Sequence, residues 1–221
     1  MDFDREWYRQ KSSRITVVAH LFGILAIILM LVWLLHYRGG FDLNSDNPAR
    51  IFNVHPFLMF FGFIFFAGEA MMVYKSVRAV TRVQKITHMM MHVIAMTLGI
   101  VGIYAAFKYH NKRNLTNMYS LHSWIGLSTF ILYGIQWIFG FATFWVPRPQ
   151  ITRAMFLPWH VCFGRALLYM AICTAETGLM QIFTIMGLVD NREARLINFT
   201  GLLILLFGIT VDLSIVFGRY V

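Results

Sequence analysis

The sequence predicts an all-α integral membrane protein, built as a bundle of six transmembrane helices. Hydrophobic residues make up 58% of the 221-residue chain and charged residues only 13%, whereas soluble proteins average roughly 25% charged residues. Six apolar stretches can each cross a hydrocarbon core of about 30 Å, which takes about 20 residues of helix. The segments between them are short and polar. The sequence therefore predicts a single domain, 1–221, in which consecutive helices are antiparallel neighbours.

The six predicted spans leave almost no chain for a soluble domain. They cover residues 15–37, 51–74, 86–107, 119–146, 156–180 and 196–217. The first span carries His20 and His36, which have no counterparts at the same depth on another span and are interpreted as ordinary polar contacts. Asp212 is the one ionisable residue of the sixth span. Each of the four spans between them carries a histidine close to one end.

The histidines of the four middle spans fall into two layers. His55 and His122 lie four and three residues past the starts of the second and fourth spans, roughly 5 Å into the core. His88 and His160 lie two and four residues past the starts of the third and fifth spans, which begin at the opposite membrane face. The two layers are expected to be on the order of 20 Å apart.

An imidazole in hydrocarbon is costly unless a metal, a cofactor or a polar partner occupies it. Two imidazoles at one depth on different helices can supply both axial ligands of a b-type haem. A single histidine could instead hydrogen-bond a neighbouring helix, but four in two matched layers favour two b-type haems. His92 follows His88 on the same helix face, so either could ligate. Depth favours His88 and leaves His92 as a partner of a ligand or of a haem propionate.

Glycines near the ligand faces are consistent with a flat macrocycle that needs clearance. Gly126 and Gly164 lie one turn past the histidines of the fourth and fifth spans, and Gly62 and Gly99 lie close to the faces of the second and third. The alternative is that small residues only let transmembrane helices approach one another. The sequence leaves both interpretations open.

The positive charges assign the orientation. The tails and loops on the side of both termini hold 11 Lys and Arg residues, including Arg5, Arg9, Lys11 and Arg219, against 7 on the other side. Cytosolic segments of membrane proteins are enriched in these residues, so the termini are predicted to be cytosolic. The net charge of +9 then reflects topology and contact with anionic headgroups of the lipid bilayer. No folded basic domain exists to bind nucleic acid.

The loop after the second span is wholly basic and allows two interpretations. It carries Lys75, Arg78, Arg82 and Lys85 without an acidic residue. These cations could simply anchor the loop at the cytosolic face. Together with Arg153 of the next cytosolic loop they could also form a cationic bowl above the His88 and His160 layer, suited to a small organic anion that donates electrons.

His110 is the candidate for chemistry at the opposite face. It is predicted to lie in the loop between the third and fourth spans, with Lys108, Asn117 and Tyr119 nearby in sequence. An imidazole titrates near working pH and could bind an anionic substrate and take its proton. Composition alone favours the other interpretation, a solvated loop histidine.

Five motifs, taken together, resemble the cytochrome b561 family of ascorbate-dependent transmembrane oxidoreductases, particularly its plant members. They are Asn117-Met-Tyr-Ser-Leu-His122-Ser-Trp-Ile-Gly126, Leu157-Pro-Trp-His160-Val, His88-Met-Met-Met-His92, His55-Pro56 and Ala70-Met-Met-Val-Tyr-Lys75. The resemblance covers essentially the whole chain. It implies a haem-binding core of four helices, the second to the fifth, with two b haems.

The resemblance also implies ligands, substrates and partners. His55 and His122 would ligate the non-cytosolic haem, and His88 and His160 the cytosolic one. Cytosolic ascorbate would give up an electron and a proton, and the electron would leave to monodehydroascorbate or a ferric chelate. Such proteins are typically homodimers and occupy vacuolar, vesicular or plasma membranes.

The resemblance assigns substrate contacts residue by residue. Lys85 and Arg153 match the family's cytosolic ascorbate contacts, and His110 matches its histidine at the non-cytosolic substrate site. Thr81 stands where a second basic residue is common, so either this site is weaker here or Arg82 substitutes for it.

The rival hypothesis is a haem-free transporter or channel that uses buried histidines and carboxylates to move protons or metal ions. It predicts ionisable groups and broken helices near the midplane, whereas the histidines here lie near both surfaces. Four ionisable residues inside the spans stay without a role at this stage: Glu69, Arg165, Glu176 and Asp212.

Overall fold

The computed structural model confirms the predicted fold class. It describes the backbone of residues 2–218 and the side chains of residues 13–218, so Arg5, Arg9, Lys11 and Arg219 lie outside the described side chains. Residues 2–218 form helices and connecting turns and contain no strand. Six helices are long and apolar enough to span a membrane: α1 Ser13–Tyr37, α2 Pro48–Ser76, α3 Thr81–Arg113, α4 Leu121–Trp145, α5 Gln150–Ile185 and α6 Arg192–Gly218. The helical backbone of α1 begins at Asp2.

Helices α3 and α5 extend beyond the predicted spans at both ends. Polar helix formers such as Gln84, Lys85 and Lys112 continue α3 outside its apolar window, because they have good helix propensity although they leave hydrocarbon. His110 therefore lies in the last turn of α3 and not in a loop. Arg153 likewise lies in the first turn of α5. The prediction of both residues as loop residues was wrong.

Side-chain caps fix where two of the core helices start. The Asn47 side chain accepts a hydrogen bond of 3.0 Å from the backbone N–H of Ala49, and Pro48 occupies the first turn of α2. Ser120 accepts one of 3.3 Å from the N–H of Ser123 at the start of α4. Such caps satisfy N–H groups that have no partner within the helix, and they set the levels of His55 and His122.

Three helices contain π-helical segments, Trp33–Tyr37 in α1, Leu58–Phe65 in α2 and Phe141–Trp145 in α4. A π-helical segment inserts a residue into an α-helix and often accompanies a functional site. The segment in α2 begins two residues after Pro56, which lacks the N–H that a regular helix would use.

The helices pack as pairs. α2 lies along α3, α4 lies along α5, and α3 and α4 touch each other least among the chain-adjacent pairs within α2–α5. α1 packs mainly along α6, outside the four central helices. Phe207 of α6 is fully buried and packs against Phe65 of α2, with 5.7 Å between ring centres and 30° between the planes. The space between the two central pairs is where the histidines meet.

Candidate functional site

The four histidines of the middle spans face each other in the two predicted pairs. The ring centres of His55 on α2 and His122 on α4 are 6.0 Å apart, with the ring planes at 88°. Those of His88 on α3 and His160 on α5 are 6.3 Å apart, with the planes at 66°. Each pair takes one histidine from the α2/α3 pair of helices and one from the α4/α5 pair.

Backbone carbonyls fix the tautomer of three of these rings. Nδ1 of His55 lies 3.0 Å from the carbonyl oxygen of Gly102, Nδ1 of His88 lies 2.8 Å from that of Ala70, and Nδ1 of His122 lies 2.9 Å from that of Thr174. A carbonyl only accepts, so Nδ1 carries the proton and donates it. The Nε2 lone pair of each neutral ring is then free to bind a metal.

The fourth ring, His160, has a different partner. Its Nδ1 lies 3.0 Å from the amide nitrogen of the Gln136 side chain, which also donates a hydrogen bond of 2.8 Å to the His160 carbonyl oxygen. Phe144 packs against the same ring, with 5.1 Å between ring centres. Gln136 was not a candidate in the sequence.

The partner positions follow one spacing. Gly102 lies 14 residues after His88, Gln136 lies 14 after His122, and Thr174 lies 14 after His160. Each helix thus brings a histidine to one layer and the partner of another histidine to the other layer, about 21 Å away along the helix. In α2 the interval from His55 to Ala70 is 15 residues, because the π-helical segment inserts one.

Two glycines that the sequence did not single out lie against the rings. A Cβ atom on Gly140 would lie 2.9 Å from Cε1 of His160, and one on Gly178 would lie 2.7 Å from Cε1 of His122. Both glycines come one turn after a partner position, on the helix opposite the ring. Side chains larger than hydrogen would displace these imidazoles.

The glycines that were predicted to clear a macrocycle have mixed surroundings. Cβ atoms on Gly62, Gly99 and Gly126 would meet Leu98, Phe130 and Thr174 of neighbouring helices at 3.0 Å or less, which is the close helix approach of the alternative interpretation. Gly164 lines the cavity beside His160.

His92 lies beside His88 and is held by a tyrosine. The two rings are 4.4 Å apart between centres, and Nδ1 of His92 lies 2.5 Å from the hydroxyl of the buried Tyr133. His88, and not His92, forms the ring pair with His160 at the distance given above.

A cavity of about 770 Å³ connects the His88 and His160 layer to the basic end of the bundle. Tyr74, Lys75, Lys85 and Arg153 line it, together with His92 and Tyr133. Nζ of Lys75 donates a hydrogen bond of 3.1 Å to the carbonyl oxygen of Gly218. Arg82 is exposed and is not among the lining residues. The structure thus brings three of the five cations of the predicted bowl to one cavity and leaves Arg78 and Arg82 outside it.

At the opposite end, His110 stacks on Tyr119, with 6.4 Å between ring centres and 27° between planes. The Tyr119 hydroxyl accepts a hydrogen bond of 3.1 Å from Gln181 of α5. Nδ1 of His110 is buried and has no hydrogen-bond partner among the described residues. Asn117 is exposed in the adjoining turn. These residues form a polar surface near the His55 and His122 layer.

Three of the ionisable residues left without a role pair with other helices. Both nitrogens Nε and Nη2 of Arg165 on α5 bond the carboxylate of Asp212 on α6, which also accepts a hydrogen bond of 3.0 Å from Tyr169. Glu69 lies 2.8 Å from Nδ1 of His20 on α1. Arg165 is therefore not aimed at the histidine layers. Glu176 keeps one buried oxygen without a partner among the described residues.

The histidine pairs fit a b-type haem better than a bare metal ion. Among the side chains of residues 13–218, no three His, Cys, Asp or Glu groups converge as metal ligands. Each pair offers two nitrogens, and a porphyrin would supply the remaining ligands of iron. Ring centres about 6 Å apart leave space for a metal between the rings, since an imidazole–metal bond is about 2 Å.

Comparison with known proteins finds one matching family and relatives that cover most of this chain. The family model described as "Eukaryotic cytochrome b561" matches residues 54–185. The chain is 44% identical over 218 residues to the rice protein "Probable ascorbate-specific transmembrane electron transporter 2", covering 96% of this chain and 92% of that protein. It is 43% identical to "Ascorbate-specific transmembrane electron transporter 2" of maize, over 91% of this chain and 88% of the relative. "Transmembrane ascorbate ferrireductase 2" of Arabidopsis thaliana is 40% identical, over 91% of this chain and 90% of the relative.

Proposed function

Because this chain belongs to the eukaryotic cytochrome b561 family, we propose that it moves single electrons across the membrane, from cytosolic ascorbate to an acceptor on the opposite face. The chain is a multi-pass membrane protein and an oxidoreductase of the ascorbate-dependent transmembrane type. One observation carries the proposal. Two pairs of facing histidines lie near opposite ends of the bundle, and one pair shares a cavity with three cations.

The two histidine pairs would hold two b-type haems, His88 with His160 on the cytosolic side and His55 with His122 on the other. A b-type haem supplies a one-electron couple at its iron. The protein supplies the axial nitrogens, fixes the tautomers of His55, His88 and His122 through their Nδ1 contacts, and surrounds the site with apolar side chains that exclude water. Family membership supports b-type haem, and the two layers support a count of two.

The cytosolic cavity would bind ascorbate through charge. Lys85 and Arg153, together with Lys75, attract an organic anion to the mouth of the cavity that leads to His88 and His160. Ascorbate would lose one electron and one proton there and become monodehydroascorbate. The names of the relatives, which specify ascorbate, support this donor.

At the opposite face an acceptor would gain the electron. Monodehydroascorbate would take one electron and one proton and become ascorbate, while a ferric chelate would become the ferrous form. His110 with its open Nδ1, Tyr119 and Asn117 offer polar groups for either substrate. The relatives include proteins named for ascorbate electron transport and for ferric reduction, so both acceptors belong to the proposal.

A haem-free transporter is less consistent with the chain. Three of the four histidines donate Nδ1–H to a backbone carbonyl of a neighbouring helix, and the described side chains form no converging metal site. The relatives named above are electron carriers and reductases. We propose cytosolic termini, a homodimer, and a vacuolar, vesicular or plasma membrane, as the charge count and the family resemblance imply.

The visible spectrum of the detergent-purified protein tests the proposal. The oxidised protein is measured first, then after ascorbate is added, and haem is quantified per chain. A ratio near two, with low-spin bands that sharpen on addition of ascorbate, is expected from two bis-histidine sites and this donor. If the purified protein contains no haem, the proposal is wrong and the histidines are assigned to proton or metal transport instead.

A further inference from the structure

In three helices, the residue 14 positions after a histidine of one layer contacts Nδ1 of a histidine in the other layer. In one of these helices the contact comes from a side chain and not from the backbone. In α3 and α5 this position contributes a backbone carbonyl, from Gly102 and Thr174, and Ala70 does so in α2 after the inserted residue. In α4 the same position is Gln136, and it contributes a side chain. A substitution cannot remove a backbone carbonyl, but it can remove this amide.

The contact between Gln136 and His160 is one of three that α4 makes around this imidazole. Gln136, Gly140 and Phe144 lie one turn apart on one face of α4. The amide lies at Nδ1, the glycine leaves room beside Cε1, and the phenylalanine ring packs against the imidazole. The ring is thus held from one helix on three sides.

We propose that Gln136 is a positioning residue for His160, whose side-chain amide takes the role that backbone carbonyls have at the other three histidines. The inference rests on the proposed function, because it takes His160 as an iron ligand through Nε2. A neutral ring that binds iron through Nε2 has its proton on Nδ1. The partner of Nδ1 must then accept a hydrogen bond.

The Gln136 amide can accept a hydrogen bond from Nδ1 after its end group rotates by half a turn. A glutamine carries an acceptor oxygen and a donor NH₂ group at nearly equivalent positions, and rotation about its last bond exchanges them. With nitrogen inward, the amide donates to the carbonyl oxygen of His160; with oxygen inward, it accepts from Nδ1. When it turns, its NH₂ group gives up the hydrogen bond to that carbonyl oxygen, so Gln136 is a weaker acceptor than a fixed backbone carbonyl.

The strength of this hydrogen bond sets how strongly the ring donates electrons. An acceptor at Nδ1 makes the imidazole more basic, which stabilises ferric over ferrous iron and lowers the reduction potential. Gln136→Met keeps the length of the side chain but removes the acceptor, so the potential of the cytosolic haem is expected to rise. Gln136→Glu supplies a stronger acceptor and is expected to lower it.

The test is a potentiometric titration of the purified full-length protein, with haem content and low-temperature electron paramagnetic resonance spectra of the oxidised state. The haem that is lost in His160→Ala identifies the affected component. Each Gln136 variant is expected to change the ratio of reduced to oxidised iron in that component about tenfold at fixed potential, or about 59 mV for one electron. The resonance of the same component should shift, while the other component stays in place.

Gln84→Met is the matched control. It makes the same chemical change near the cytosolic end of α3, where the amide bonds Val77 and does not line the cavity. Both potentials should equal those of the unaltered protein. If both haems are bound but neither potential changes in the two Gln136 variants, or both potentials shift equally, the inference is wrong while the proposed function stands. Unaltered protein that binds no haem would overturn the proposed function with it.

Discussion

Gly140 of α4 lies against the imidazole of His160 on α5, so closely that a Cβ atom at this position would be 2.9 Å from Cε1 of the ring. Gly178 has the same relation to His122 at the other layer, at 2.7 Å. Each helix of this pair therefore leaves room for the histidine of the other. A single methyl group added at either glycine would therefore change the orientation of the facing ring.

We expect Gly140→Ala to disturb only the haem proposed for the His88 and His160 layer, and Gly178→Ala only the one proposed for the His55 and His122 layer. The added methyl group overlaps the ring and must displace it from its pair. Haem content and the resonance spectrum of each variant measure the effect. Gly134→Ala is the control on α4, because a Cβ there meets no atom within 4 Å. A Gly134→Ala protein that loses haem as the other two do would contradict the steric explanation.

His88→Ala and His160→Ala are each expected to lower the haem content from about two per chain to about one. The remaining imidazole of the pair cannot hold iron on both sides. The ratio of haem to protein measures the loss. His36→Ala removes a histidine outside both layers and should leave the ratio near two. Full haem content in both ligand variants would contradict the assignment of this layer.

Lys85→Ala and Arg153→Ala are expected to retain both haems and to need a higher concentration of ascorbate for reduction. Each removes one cation from the mouth of the cavity. The concentration at half-maximal rate should rise roughly tenfold, which corresponds to about 1.4 kcal/mol of binding free energy. Added salt should weaken reduction of the unaltered protein by screening the same charges.

Arg82→Ala tests whether ascorbate binds to particular cations or responds only to the net positive charge of this face. The family resemblance led us to expect Arg82 as a substitute contact, whereas its side chain is exposed and outside the cavity. Its loss should change the ascorbate dependence much less than the loss of Lys85. Equal effects of the two variants would mean that only net charge at this face attracts the donor.

Asp212→Ala is expected to lower the melting temperature of the protein. It leaves Arg165 without its carboxylate at the interface of α5 and α6, and breaking such a largely buried pair costs about 3 kcal/mol. Thermal unfolding in detergent, followed by tryptophan fluorescence, measures the change. Asp190→Ala breaks the exposed pair with Arg195 and should cost at most about 1 kcal/mol. Equal melting temperatures for the two variants would show that the buried pair adds no stability.

His110→Gln is expected to slow delivery of electrons to the outer acceptor, roughly tenfold or more if the imidazole transfers a proton. Proteoliposomes loaded with ascorbate and supplied outside with monodehydroascorbate, the acceptor that also takes a proton, measure the rate. Reduction of the protein by ascorbate should be unchanged, because His110 lies at the other end of α3 from Lys85. Slower reduction by ascorbate would instead indicate a general defect.

The sequence was sufficient to predict the six helices and the two histidine layers. Hydropathy marks where each helix meets the membrane surface, and depth alone pairs His55 with His122. It misplaced His110, because hydropathy marks the edge of hydrocarbon and not the end of a helix. Gln136, Gly140 and Gly178 were missed for another reason. Their role depends on which helix face meets which ring, and no spacing within a single helix encodes that.

The π-helical segment of α2 means that one helical wheel cannot describe this helix. Each residue of an α-helix turns the chain by about 100°, so the residue inserted within Leu58–Phe65 rotates everything after it by that amount relative to a regular projection. A wheel drawn from His55 therefore assigns the wrong face to Glu69, Ala70 and Tyr74. The helix faces of residues after Phe65 must be counted from the end of the segment. An ungapped alignment with a regular helix that lacks the inserted residue would assign roles to the wrong face.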